Sequence, residues 1–444
     1  MARKKAKSNY SESGNISSSL SSKPRRATFG MHSENFRGLL YKKSLMHLVS
    51  FSRFGSKPGL SRMARLLDLL GSPQNNFKCI LVAGTNGKGS TTKFLSDILQ
   101  SAGYRAGSFY SPHIFSFRER IQVNGKSISK KDFAKSASTV FSSLPLLQLD
   151  HPTFFEAITA MAFCHFARKK VDYAVLEVGL GGRLDATNAC EPELSIITSV
   201  GLEHTDVLGK TVPEIAKEKA GIMRKGKPII CGAVGEAKKE IEKIAKWKRA
   251  PIYFIDKNKL KIRLKTLGTY QYSNAAIAAT AAQILGIRDE IILKSIQSAK
   301  IPARWQTISS SPKIIIDCAH NPQAAEEIAN DLKHDFSPNQ NSPRLLLFAA
   351  MKDKDYSSVL QSILPFFDYA IFCSPPYKRA QSAKNLLACA KKLNSNIKLI
   401  SISSPDSALK KAKILAGKKG RILVCGSIYL LQYLFGEREF QITG

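Results

Sequence analysis

The stretch AGTNGKGSTT, Ala83 to Thr92, follows the apolar run Cys79-Ile80-Leu81-Val82 and leads into a segment patterned as a helix. A glycine-rich turn between a strand and a helix belongs to a parallel βαβ unit, and it leaves the helix N-terminus facing the space beyond the strand. The strict phosphate-loop pattern, G-x-x-x-x-G-K-[ST], is not met, because Val82 stands at the first glycine position and Gly89 separates Lys88 from Ser90. The physics survives that departure. Gly84, Gly87 and Gly89 let backbone N–H groups converge on phosphate oxygens, Lys88 adds a mobile positive charge, and Ser90 or Thr91 brings a hydroxyl near a metal. Taken alone, the turn fits a phosphate cradle and a simple tight connection equally.

Short apolar runs alternate with helical patterns along the chain, which predicts strands at 79–83, 172–177, 195–200 and 228–231. Helices are predicted over about 89–102, over 153–169, where the residues are apolar almost all round, and after Thr211. The segment KIPARWQTISSSP, 300–312, interrupts the pattern with two prolines and three serines before KIIIDCAHNP resumes it, and a domain boundary is expected there. Strands near 345–349, 369–373, 397–401 and 421–425 then build a second, smaller doubly wound domain. The expected extents are 1–45 for a basic, Ser-rich, largely disordered extension, 46–303 for a central domain and 304–444 for a C-terminal domain.

Composition narrows the function classes without choosing among them. In 444 residues, 67 Lys and Arg against 34 Asp and Glu give a formal charge of +33, a field that attracts anionic substrates or nucleic acid. The basic residues are spread along the whole chain, which reads as solvated surface for most of them. Eight cysteines, at 79, 164, 190, 231, 318, 373, 389 and 425, form no C-x-x-C pair and sit mostly in apolar stretches, which argues for buried reduced thiols and against a zinc site or a disulfide framework. No apolar run approaches the roughly 20 residues of a membrane span. Residues 1–30 are rich in Ser, Lys and Arg with Glu12 as their one acid; a disordered tail, an organelle leader and an over-extended reading frame with Met31 as the start all fit them. A cytoplasmic protein is expected, or one of an organellar matrix or stroma if the leader is real.

Blocks downstream of the loop change the balance. YSPHIFSFRERIQVNG (110–125), TFFEAIT (153–159), LEVGLGGRLDATN (176–188), SVGLEHTDVLG (199–209) and IAKEKAGI (215–222) resemble, in type and order, blocks of the folylpolyglutamate synthase and dihydrofolate synthase family, a branch of the ATP-dependent Mur-type amide ligases. The loop GTNGKGS is similar to that family's form, and DCAHNP (317–322) and FAAMKDKDY (348–356) carry the resemblance into the second domain. It runs from about Ser56 to the C-terminus. It implies an α/β fold: a P-loop, Mur-ligase-like central domain with a mostly parallel sheet, and a smaller Rossmann-like C-terminal domain.

Residue by residue, the resemblance implies that Gly84, Thr85, Asn86, Gly87, Lys88, Gly89, Ser90 and Thr91 bind ATP together with Asn274, Arg304 and Asp317. Ser111, Glu177 and His204 match magnesium ligands; an imidazole is unusual for so hard a cation, and His204 rests on the resemblance alone. Lys219 matches a lysine that the family carboxylates on its side-chain nitrogen, and unmodified it reads as a helix-surface lysine. Lys88, Lys219 and His204 are the catalytic candidates. Asp185, in RLDATN, matches a residue that holds the pterin, since a carboxylate accepts paired hydrogen bonds from an aminopyrimidine edge; its plain alternative is a turn cap. Ser111, His113 and His320 complete the substrate side. The chain departs from the family at Tyr270, where histidine is frequent, and at Pro302-Ala303-Arg304-Trp305, where a Pro-Gly-Arg run is frequent.

The implied reaction adds L-glutamate to dihydropteroate or to a reduced folate, with ATP as co-substrate, Mg2+ as cofactor and an acyl phosphate as intermediate. The wording RLDATN resembles the bacterial, bifunctional form. A monomer is expected, with neither a membrane nor a specific nucleic acid as partner. Two other readings stay open: a peptidoglycan-precursor Mur ligase, and a nucleic-acid-binding P-loop NTPase that draws on the positive charge.

Overall fold

The computed structural model describes residues 29–55, 57–147, 150–255, 264, 268–336, 342–393 and 397–437. The three readings of the extreme N-terminus fall mainly on residues 1–28, outside the described residues. Two sheets organise the rest. The first contains β1 (Lys78–Ala83), β2 (Ala106–Phe109), β3 (Ile121–Val123), β4 (Lys126–Ser127), β5 (Tyr173–Glu177), β6 (Pro192–Ile197), β7 (Ile229–Cys231) and β8 (Ile252–Phe254), in the spatial order β4-β3-β2-β5-β1-β6-β7-β8. The second contains β9 (Gln306–Ser310), β10 (Lys313–Ile316), β11 (Arg344–Phe348), β12 (Tyr369–Phe372), β13 (Lys398–Ser401) and β14 (Arg421–Cys425), in the order β13-β12-β11-β14-β10-β9. Pairing is parallel except at β2–β3, β3–β4 and β9–β10.

Side chains alternate across each strand, so β1 feeds two cores. Cys79, Leu81 and Ala83 pack on one face beneath α1 (Phe29–Ser50), α2 (Ser61–Leu69), α4 (Lys130–Ser142) and α5 (Phe154–Arg168). Ile80 and Val82 pack on the other face beneath α3 (Lys88–Ser101) and the later helices α9 (Gln271–Ile284) and α10 (Asp289–Ser298). The remaining helices of this half are α6 (Thr205–Leu208), α7 (Val212–Ala220) and α8 (Gly235–Trp247). The second sheet repeats the design, with Ile315, Leu346 and Leu423 in one core and Ile314, Ile316 and Val424 in the other. Helix α11 (Pro322–Asp335) follows β10.

Local chemistry explains the helix starts that matter for the site. Thr153 and Glu156 form a reciprocal capping box that opens α5, and Thr211 with Glu214 does the same for α7. Each device satisfies backbone donors that the first helical turn leaves unpaired. Asn321 caps α11 by accepting from Ala324 N at 2.9 Å.

Two expectations need correction. The extension was expected to end at 45, yet Tyr41 and Leu45 of α1 are 2% and 5% exposed and belong to the main core, with the Tyr41 ring edge-on to Phe133 at 5.0 Å. The helical spacing of Tyr41, Leu45 and Leu48 gives α1 an apolar stripe that must be covered. The strand expected at 195–200 is Pro192–Ile197. Its ladder with β1 ends at Ala83↔Ile197, because Thr198 and Ser199 turn away to bond the glycine-rich loop.

Candidate active site

The loop after β1 is held by its neighbours as well as by its glycines. Thr85 N donates to Ser199 O at 2.8 Å, and Asn86 O accepts from the hydroxyls of Thr198 at 2.6 Å and Ser199 at 3.1 Å. Gly84 has φ 154° and a Cβ there would stand 1.9 Å from Thr198 Oγ1; Gly87 has φ 84° and a Cβ would stand 2.1 Å from Asn274 Oδ1. No other residue type fits either position without displacing its neighbour. At Gly89 a Cβ would come within 3.2 Å of Glu177 Oε2, so this glycine lets the β5 carboxylate approach the helix start. Lys88 Nζ folds back onto Gly84 O at 2.9 Å and Thr85 O at 3.0 Å. The ammonium is thus stored over the loop.

Ser90 and Thr91, offered as alternative hydroxyl donors, part company. Ser90 Oγ accepts from Gln271 Nε2 at 3.1 Å and lines two cavities. Thr91 is fully buried, and its amide is spent on Gly87 O at 2.9 Å. Thr91 therefore presents neither an exposed side chain nor a free amide to the cavity side.

Three cavities meet along this edge. The first, about 600 Å³, is lined by Asn86, Gly87, Ser90, Asn274, Arg304 and Asp317, with His320 at its side. The second, about 480 Å³, lies against Ser111, Phe154, Phe155 and the Gly179–Asp185 turn. The third, about 300 Å³, is bounded by Gly89, Ser90, Ser111, His113, Glu177 and Arg304. Arg304 lies between the first and third. Its backbone neighbours Ala303 and Trp305 both have φ 48°, a left-handed conformation that costs a non-glycine residue about 1–2 kcal/mol. Three bonds hold it: Ala303 N to Gln306 Oε1 at 2.7 Å, Cys318 N to Ala303 O at 3.0 Å, and Trp305 N to Asp317 Oδ2 at 2.8 Å. Backbone strain fixed this firmly is characteristic of functional sites.

Glu177 accepts from Ser111 N at 3.0 Å, and Ser111 Oγ accepts from Arg120 at 3.3 Å. Burial raises the Glu177 pKa, against the pull of Lys88, the Ser111 amide, Arg304 and Arg120. His204, at φ 52°, lines a narrow cavity with Gly84, Lys88, Glu203 and Lys219. Burial, aided by Lys354, Lys88 and Lys219, lowers the His204 pKa despite Glu203 beside it, which favours the neutral ring over the imidazolium. Lys219 is 4% exposed, not a surface lysine, and burial together with Lys88 pulls its pKa down to about 7. Glu203 pairs with the Lys354 ammonium, its Oε1 3.1 Å from Lys354 Nζ, and lies 3.5 Å from His320 Nε2.

No group of three or more His, Cys, Asp or Glu among the described residues is arranged to hold a metal. The donors still suit Mg2+, which takes one or two carboxylates and fills its remaining positions with phosphate oxygens and water. Glu177 and the Ser111 hydroxyl are such donors, and both Glu177 and His204 face Lys88.

Other expected residues occupy less direct places. Asp185 is engaged internally by Gly179 N, Leu180 N, Thr187 N and Thr187 Oγ1 at 2.6–3.0 Å, which is the turn-cap arrangement. It walls the second cavity by fixing the turn. His113 is 5% exposed; its Nδ1 accepts from Arg120 Nε at 2.9 Å, and burial holds its pKa well below the usual histidine value. The sequence reading noted Tyr270 only as a departure from the family and did not single out Gln271, Glu203, Asn321, Gln323 or Lys354, although several lie inside the quoted blocks.

Known proteins match this chain in sequence and fold. The Mur ligase middle domain matches residues 82–253, and the Mur ligase, glutamate ligase domain matches residues 303–428. Dihydrofolate synthase/folylpolyglutamate synthase of Bacillus subtilis is 35% identical over 413 residues, covering 85% of this chain and 94% of the relative. The solved structure of E. coli FolC in complex with DHPP and ADP superposes with TM-score 0.79 and 30% identity, covering 88% of this chain and 96% of the other. A bifunctional folylpolyglutamate synthase/dihydrofolate synthase with Mn, AMPPNP and L-glutamate bound gives TM-score 0.77 and 29% identity, over 88% and 97% of the two chains. With these domain matches and this identity over nearly the whole relative, the chain belongs to the dihydrofolate synthase/folylpolyglutamate synthase family of Mur-type ligases.

Proposed function

We propose that this chain is an ATP-dependent ligase that joins L-glutamate to dihydropteroate and adds further glutamates to reduced folates, acting as a monomer in folate metabolism. The observation that carries the reading is that the third cavity, lined by Gly89, Ser90, Ser111 and Glu177, shares Ser90 and Arg304 with the first and Ser111 with the second. One cavity suits the nucleotide, one the pteridine-linked acid and one the incoming amino acid.

The first step needs charge neutralised around a triphosphate. Lys88, released from Gly84 O and Thr85 O, reaches the terminal phosphate, while the amides at the start of α3 hold its oxygens. Asn274 and Arg304 line the same cavity and hold the rest of the nucleotide. Glu177, Ser111 and His204 would hold a magnesium ion, which when bound would supply Lewis acidity to offset charge on the transferring phosphoryl group. The substrate carboxylate attacks the γ-phosphorus, the bond to the β-phosphate oxygen breaks, and ADP departs from an acyl phosphate.

The second step needs a neutral amine and no water. Glutamate's nitrogen attacks the acyl carbon from the third cavity, the carbon–oxygen bond to phosphate breaks, and the nitrogen's surplus proton leaves with the departing inorganic phosphate. Arg304, which lines the third cavity, would stabilise the oxyanion and the departing phosphate. Lys219, with its pKa pulled down to about 7, presents a neutral amine that can add CO2, and its carbamate would balance the positive charge of Lys88 and help organise the metal. The two halves are bonded across the cleft by Asn86 with Asn321, Tyr270 with Asp317 and Lys354 with Glu203, contacts that would limit the access of water to the acyl phosphate.

Product analysis with ATP, Mg2+ and glutamate decides the reading. Glutamate addition to both dihydropteroate and tetrahydrofolate is expected; addition to one alone removes the bifunctional claim, and addition to neither removes the proposal.

A further inference from the structure

Asp317 is the most constrained carboxylate in the nucleotide-sized cavity. Its Oδ2 accepts from the Tyr270 hydroxyl at 2.7 Å and from Trp305 N at 2.8 Å, and its Oδ1 accepts from Ala319 N at 2.8 Å. A carboxylate offers about four acceptor positions. Three are filled, so one remains, on Oδ1, in a side chain that lines the cavity while being only 2% exposed.

Tyr270 reaches Asp317 from the other half of the molecule. It stands at the start of α9, yet its ring packs against the core of the second sheet. The next residue, Gln271, donates to Ser90 Oγ at 3.1 Å, and Asn274 donates to Gln271 Oε1 at 3.0 Å. One turn of α9 thus touches the phosphate-loop helix with Gln271, the nucleotide cavity with Asn274 and the second domain with Tyr270. Burial and the neighbouring Asp317 raise the Tyr270 pKa well above the usual tyrosine value, so the phenol remains a donor across the working pH range.

We propose that Tyr270 is a positioning residue for the nucleotide: through its hydrogen bond it locks the Asp317 carboxylate so that the remaining Oδ1 acceptor faces a donor group of bound ATP, and it sets the second domain against the phosphate loop. The inference rests on the nucleotide reading of this cavity. Without the phenol, Oδ2 keeps Trp305 N alone and the carboxylate can rotate. A phenylalanine would fill the same space, which separates the hydroxyl's role from that of the ring.

Calorimetric titration with AMPPNP and Mg2+ tests this on the parent, Tyr270→Phe, Asp317→Asn and the double variant, alongside steady-state kinetics. Tyr270→Phe is expected to weaken nucleotide binding about 10-fold, the scale of one hydrogen bond to a charged group. Its kcat at saturating ATP should stay within about 3-fold, and the KM values for glutamate and dihydropteroate should not move. The double variant should bind no worse than Asp317→Asn, because both changes break one linkage. Parent-like nucleotide binding by Tyr270→Phe, full additivity of the two changes, or a joint fall in kcat with all KM values raised would each overturn the proposal. A parent that does not bind AMPPNP would instead overturn the nucleotide reading itself.

Discussion

Asn86, in the glycine-rich loop, and Asn321, the residue that caps α11 in the second domain, exchange two side-chain amide hydrogen bonds across the cleft, at 3.0 and 3.3 Å. Asn86 also donates to Gln323 Oε1 at 3.2 Å. The loop that is to receive a triphosphate is thus tied directly to the helix that follows β10. Movement of one half is felt by the other without an intervening element.

Replacing Asn321 by alanine removes the cap and the clasp together, whereas aspartate keeps an oxygen for Ala324 N and loses only the donor to Asn86. We expect Asn321→Ala to cost about 1–2 kcal/mol of stability. Asn321→Asp should unfold near the parent temperature. Both should weaken ATP binding several-fold. If aspartate left nucleotide affinity untouched, the clasp would have no bearing on the loop.

Gly87→Ala isolates the loop's shape. The added Cβ would stand 2.1 Å from Asn274 Oδ1 on a backbone with φ 84°, so the Asn274 side chain must leave the nucleotide cavity. The expected result is a loss of about 1–3 kcal/mol in stability and a drop in ATP affinity far larger than that of Tyr270→Phe. Thermal unfolding and AMPPNP titration on one sample distinguish this from general misfolding.

Asp185 tests whether the second cavity depends on its turn. Its carboxylate accepts four hydrogen bonds, and an asparagine nitrogen can accept none. Asp185→Asn should therefore cost about 1–3 kcal/mol. The KM for dihydropteroate should rise while that for ATP stays put. An unchanged dihydropteroate KM would remove Asp185 from the substrate side.

The particular residues show what a sequence makes legible. Loop, strand and following helix were readable around Gly84 because apolar run, glycines and amphipathic helix all agree, and the same agreement located β5, β7, β11, β12, β13 and β14 to within a residue or two. The hairpin β3–β4 escaped, although Asn124 and Gly125, with φ 48° and 67°, are the turn pair such hairpins favour; strands of three and two residues carry no periodicity to see. Glu177, Ser111 and His204 could be named by resemblance, yet spacing says nothing of distances between residues far apart in the chain. Lys219 shows the limit most clearly. Its residue type suggests a solvated helix face, and only packing of α7 against the Gly179–Asp185 turn buries it.

Lys219 also carries the sharpest dependence on pH. Burial, then repulsion from Lys88, pulls its pKa down to about 7 in the folded chain, against about 10.4 when unfolded. Below pH 7 the folded protein must keep a buried cation, and that cost is fully present. Between pH 7 and about 10 the folded chain has shed a proton that the unfolded chain still holds, so stability rises relative to a variant without the amine. In CO2-free buffer Lys219→Met should therefore be more stable than the parent at pH 6, by on the order of 2 kcal/mol, with the gap closing toward pH 9. A gap of the opposite sign, or one independent of pH, would mean that the amine is satisfied where it lies. The neutral amine has a second consequence, because its lone pair can form a bond to the carbon of CO2 and release a proton to give a carbamate. Isotope-labelled bicarbonate should then give a carbamate carbon resonance in the parent that is absent from Lys219→Met. The kcat of that variant should fall on the order of 100-fold, as for the loss of one electrostatic group at a transition state. Full activity without the amine would leave Lys219 with no part in the chemistry.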